Sequence, residues 1–150
     1  MIALFFVSLA SAAPSAGDFG IGMGIGAPTG VTGKLMVNDW SGIQFSAGGD
    51  LGRIGDIGLS CDYVINTQPL NNPADGYTVR MHFGLGFSMS ANTEEFYGAT
   101  YLGPRLGIAG VNIVVDGMPI DLFVETAPTL YFFQSISWGF DGQIGVRYYF

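Results

Sequence analysis

The chain has 150 residues, room for one domain and hardly two. It is 49% hydrophobic, carries 24 glycines and is only 11% charged, too apolar for disorder and short of charge for a soluble surface. Five Lys+Arg against twelve Asp+Glu argue against a nucleic-acid partner, and the single cysteine, Cys61, excludes an internal disulfide and any cysteine-cluster metal site.

The start, MIALFFVSLASAAPSAGDFG, places a short apolar run over residues 2–9 before Ala10-Ser11-Ala12, small residues at the spacing a signal peptidase reads. The run is too short for a membrane helix, which needs about 20 apolar residues. Residues 1–12 are therefore expected to be a signal segment, with the mature chain, 13–150, starting near Ala13. No Lys or Arg precedes the run, so the natural start is expected upstream of Met1.

From residue 18 onward the sequence reads with period two, the period of strands. DFGIGMGIG sends Phe19, Ile21, Met23 and Ile25 one way and Gly20, Gly22, Gly24 and Gly26 the other. After the turn APTG come VTGKLMVN, the turn NDWSG, GIQFSAGGD and DIGLSCDYVI. A Pro/Asn-rich stretch, NTQPLNNPADG, breaks the chain before YTVRMHFGLGFSMS, YGATYLGPRLGIAG, IDLFVETAPTLYFF and GFDGQIGVRYYF. That makes eight strands and no capped helical pattern. Without 1–12, 138 residues remain, enough for eight strands of about 9–11 residues each.

The two faces differ. One carries Val31, Leu35, Val37, Ile43, Phe45, Ile57, Leu59, Tyr63, Phe83, Leu85, Phe87, Leu102, Leu106, Ile108, Leu122, Val124, Ile144, Val146 and Tyr148. The other carries glycine, serine and threonine together with Lys34, Arg80, Arg105, Arg147, Asp62, Asp121, Glu125, Asp141 and the only histidine, His82. A soluble lipocalin-like barrel would wear that second face outward, and it would then be rich in charge. Small residues with sparse charges of both signs suit instead the crowded inside of a small barrel, where the charges pair. The expectation is an all-β, eight-stranded antiparallel up-and-down transmembrane barrel, apolar outside, with Lys34, Asp62, Arg80, His82, Arg105, Glu125, Asp141 and Arg147 forming a charge network that plugs the lumen. A closed barrel also satisfies every backbone polar group in lipid.

The closing GQIGVRYYF alternates Ile144, Val146, Tyr148 and Phe150 on the apolar face and ends on an aromatic. It resembles the C-terminal signature of bacterial outer-membrane barrels. That resemblance implies that Tyr148 and Phe150 are read by the barrel assembly machinery and that the last strand closes on the first. The mature chain as a whole resembles a family of small OmpA-like outer-membrane barrels of unassigned function. The likeness is carried by the glycine-alternating first strand, Pro28-Thr29-Gly30 with Lys34, Glu125 with Ala127-Pro128, and Gly145 through Phe150. It implies location in a bacterial outer membrane with lipid around the barrel, and it brings no catalytic residues.

For catalysis the chain offers only His82. Ser88 lies six residues on in the same predicted strand, about 20 Å away at ~3.3 Å per residue, too far for a nucleophile–base pair. Ser60 on a neighbouring strand is the nearer option. GIGMGIG lacks the following helix and Lys-Ser/Thr of a phosphate loop. Glu94-Glu95 read as a solvated loop rather than a cation site. No enzyme activity, cofactor or metal is expected, and the barrel is expected to be monomeric. A structural envelope role leads. The alternatives are a surface module binding a host or envelope protein or a hydrophobic ligand, and, behind it, a lipid-modifying enzyme.

Two features strain the pattern. Pro104 and Pro128 fall inside consecutive predicted strands, where each loses a ladder hydrogen bond, and parity changes past Gly110, so an irregularity is expected near 109–111. The longest connection, 66–76, falls on the side of both termini, whereas the expected outer loops (27–30, 50–56, 89–96 and 133–138) are short.

Overall fold

The computed structural model describes residues 14–50, 53–71, 76–92, 100–132 and 136–150. The expected signal segment and the Glu94-Glu95 loop lie outside them. Eight strands follow in chain order: β1 Phe19–Gly26, β2 Thr29–Asn38, β3 Ser41–Asp50, β4 Arg53–Asn66, β5 Tyr77–Asn92, β6 Thr100–Val115, β7 Ile120–Tyr131 and β8 Ser137–Tyr149. Each pairs antiparallel with the next, and β1 pairs with β8 from Gly20↔Tyr149 to Gly26↔Gln143, so the sheet closes into an eight-stranded barrel. Closure leaves no free edge along the paired length. Phe150 completes the seam, its N–H donating to the Phe19 carbonyl at 3.0 Å.

Burial runs opposite to that of a soluble protein. The outward side chains Met23, Ile25, Leu85, Phe87, Val124 and Phe140 are exposed, while the polar Thr32, Gln44, His82, Asp121, Thr129 and Arg147 are fully buried. Cys61 is exposed on the outer wall, beside Phe45 and Phe87 in register. Inward side chains crowd the space inside the barrel, where about eight strands leave little room. Phe123, Ile108, Val64 and Ala127 share it with the polar groups.

Ile108 is a correction to the sequence reading, which placed it outside. Leu106 points out and Ile108 points in, because Gly107 is an extra residue. Gly84 pairs with Ile108 while Leu85 pairs with Leu106, and across the other seam the register slips between Arg105 and Ala109. The bulge thus sits at 107, not at 109–111, and from it onward the odd-numbered Val111 and Ile113 face out. The two prolines explain its location. Phe132 N–H donates to the Leu102 carbonyl (3.1 Å), so even-numbered residues of β7 and of the first part of β6 present their backbone to this seam. Pro104 and Pro128 share that parity, so both missing N–H groups fall on the β6–β7 ladder where it breaks.

By strand order the 67–76 connection lies at the end of the barrel that carries both termini, with the Asn38–Ser41 turn and the 115–120 turn. At the latter, Gly117 takes φ of +80°, a conformation that favours glycine. The opposite end carries the turn at 27–28.

Candidate functional site

The chemistry-bearing side chains gather in the lumen, in three clusters. The first joins β4, β6, β7 and β8. Arg105 Nη1 donates to Asp62 Oδ2 at 2.6 Å, its Nε lies 3.7 Å from Asp141 Oδ2, and Thr129 Oγ1 donates to the same Asp141 oxygen at 2.8 Å. The second is central. His82 Nε2 stands 3.3 Å from Glu125 Oε2, and Gln44 Nε2 donates to both Glu125 oxygens at 2.8 and 2.6 Å. The third lies toward the termini. Arg147 Nη1 is 3.5 Å from Asp121 Oδ2, and its Nε and Nη2 reach Thr32 Oγ1 at 3.2 and 3.1 Å. Asn112 Nδ2 (3.1 Å) and Tyr149 Oη (3.4 Å) also donate to Asp121 Oδ2. The Arg147 guanidinium lies 3.7 Å above the Phe123 ring, which packs against Gly145.

One construction recurs in all three clusters. Asp62, Gly86 and Arg105 are register partners on β4, β5 and β6, and the Asp62–Arg105 bridge passes over Gly86. His82, Gly110 and Glu125 stand in the same relation on β5, β6 and β7. Thr32, Gly22 and Arg147 repeat it on β2, β1 and β8. Next-but-one strands are about 9–10 Å apart, a gap that two polar side chains close only by lying across the strand between them. A Cβ at Gly86 would strike Asp62 Oδ1, and one at Gly110 would strike the His82 ring. The glycines of the inner face are thus the floor on which the charge network lies. On β1 the same logic serves packing: a Cβ at Gly20 would lie 2.8 Å from the Tyr149 ring, and one at Gly24 would meet Gln143.

Of the eight residues expected to plug the lumen, Asp62, His82, Arg105, Glu125, Asp141 and Arg147 are in contact with one another in these clusters or pair with Asp121. Lys34 is buried but reaches an amide rather than a carboxylate, its Nζ 3.1 Å from Asn66 Oδ1. Arg80 departs from the group. It is half-buried at the rim, and its Nη1 is 3.4 Å from the Asp39 carbonyl. Thr32, Gln44, Thr129, Asn112, Phe123 and Tyr149 also stand among these clusters and were not singled out from the sequence. Their parity along the strands was the available signal. Tyr148 and Phe150 stack edge to face on the outer wall with ring centroids 4.9 Å apart.

The register also bears on catalysis. Ser60 pairs with Ser88, whereas the residues facing His82 across its two seams are Asn66 and Gly110. Among the described residues no group of three or more His, Cys, Asp or Glu side chains is placed to hold a metal ion.

No protein-family model matches the chain, and no curated protein sequence does either. Among solved structures, the N-terminal β-barrel domain of Pseudomonas aeruginosa OprF is similar, with a TM-score of 0.58 over 91% of this chain and 100% of that one. The two are 12% identical, so the likeness shows the barrel fold and nothing finer.

Proposed function

We propose that the chain is an integral barrel of a bacterial outer membrane with a structural role in the envelope and a lumen closed to ions by its charge network. The observation that carries the reading is the inverted burial. A belt of exposed Ile, Leu, Val, Met and Phe surrounds a buried interior in which Arg105 meets Asp62 and Asp141, Arg147 meets Asp121, and His82 meets Glu125. Water disfavours such a belt and lipid does not. Barrel closure supports the same reading, since it satisfies the backbone without water. A structural role is preferred to a catalytic one, and the register partners of His82, Asn66 and Gly110, offer it no nucleophile. The barrel works as a monomer among lipids, delivered by the assembly machinery that reads Tyr148 and Phe150.

The test is insertion and flux. Residues 13–150, refolded into phospholipid vesicles, are expected to resist carbonate extraction and to leave salt flux at the level of empty vesicles. Extraction into the aqueous phase refutes the membrane reading. Ion flux through an inserted barrel refutes the closed lumen.

A further inference from the structure

We infer that a recess at the termini-side rim binds the headgroup of a phospholipid bearing a phosphate and a primary amine. The inference rests on the membrane reading above. The recess, of about 360 Å³, lies between the Asn38–Ser41 turn and the start of the 67–76 connection, and Asp39, Trp40, Asn66, Gln68 and Arg80 line it. Its size falls within the range of small-ligand clefts.

Three observations point to this ligand. First, the recess holds a cation and an anion that do not pair with each other. Arg80 makes no ion pair with a carboxylate among the described residues, and its buried Nε has no hydrogen-bond partner there. The exposed Asp39 carboxylate accepts from the Ala16 N–H (3.1 Å) and meets no cation within 4.0 Å among those residues. A simple anion at Arg80 would face Asp39, and a simple cation at Asp39 would face Arg80. A zwitterion satisfies both, its phosphate on the guanidinium and its ammonium on the carboxylate. Second, the recess opens where the apolar wall ends, next to the exposed Val37 and Ile65. That is headgroup depth. Third, Trp40 is 55% exposed at the same level, where an indole anchors at the membrane–water boundary. Asn66 and Gln68 add amide groups suited to phosphate and glycerol oxygens.

The chain has two tryptophans, so Trp138→Phe leaves Trp40 as the sole reporter in the full barrel. Folded in neutral-detergent micelles, and shown folded by its gel mobility, this protein is titrated with short-chain phosphatidylethanolamine, short-chain phosphatidylcholine and inorganic phosphate. The inference expects a saturable change in Trp40 emission with phosphatidylethanolamine, weaker binding of phosphatidylcholine, whose quaternary amine has no N–H to donate to Asp39, and no saturation with phosphate alone. Arg80→Gln is expected to weaken binding about tenfold or more. Asp39→Asn, in an exposed turn that tolerates change, is expected to remove the preference for phosphatidylethanolamine over phosphatidylcholine. Equal response to both lipids, saturation by free phosphate, or no saturable response from a folded barrel overturns it. A protein with no folded band fails the membrane reading instead, so the two failures are distinguishable.

Discussion

Arg105 and Asp62, 43 residues apart in sequence, meet at 2.6 Å across Gly86, which occupies the strand between them. Both are buried, so each is tolerable only because the other is present. Arg105→Ala or Asp62→Ala alone is expected to cost about 3–5 kcal/mol, whereas Asp62→Leu/Arg105→Met together is expected to cost less, because the one charge left without its partner is Asp141, which stands at the longer 3.7 Å from Arg105 and keeps its Thr129 hydrogen bond. Urea unfolding of the vesicle-inserted barrel, followed by tryptophan fluorescence, gives the double-mutant cycle. Equal losses in single and double variants would deny the pairing.

The bridges also fix which glycines matter. Gly86→Ala and Gly110→Ala would drive a methyl into Asp62 and His82, and are expected to destabilise by about 1–3 kcal/mol. Gly142→Ala meets only the Glu125 carbonyl at 3.6 Å, an ordinary contact, and is expected to stay within about 0.5 kcal/mol of the parent. The same unfolding assay ranks the three. A Gly142 effect as large as the other two would remove the bridge explanation.

The bulge at Gly107 is tested by side-chain direction. In a Cys61→Ser background, a spin label on Leu106→Cys is expected to be accessible to oxygen dissolved in lipid, and one on Ile108→Cys is not. Labels that report the same environment at both positions would put the parity change elsewhere in β6.

Phe150 binds the seam through its backbone and packs on Tyr148 through its ring. Removing the ring by Phe150→Ala is expected to cost the folded barrel only about 1 kcal/mol, yet to lower the assembled fraction in cells severely if the assembly machinery reads that residue. Refolding yield in detergent set against membrane yield in cells separates the two effects. Equal, small losses in both would leave Phe150 an ordinary closing residue.

Most of the architecture was legible because a strand's period is two. Alternation in FGIGMGIG and in GQIGVRYYF assigns every residue of β1 and most of β8 to a face without any three-dimensional information. Ile108 was misread for the same reason, since one inserted glycine inverts everything behind it and the parity change becomes visible only at Val111. Partners were harder still. Period two says that Asp62, Gly86 and Arg105 face the lumen, but register decides that they stand in one row, and register depends on turn lengths and bulges. Arg80 shows the other limit. It has lumen parity, yet it stands half-buried at the rim and makes no ion pair with a carboxylate among the described residues, and parity carries no information about height.

Whether the apolar face meets lipid is decided by gel mobility. Residues 13–150 are folded into detergent and run with and without boiling. A compact, fast-running band that shifts on boiling, together with β-rich circular dichroism, is the expected result for a closed, detergent-held barrel. A monomer that folds in plain buffer, with unchanged mobility after boiling, would contradict it and turn the two faces of the barrel inside out.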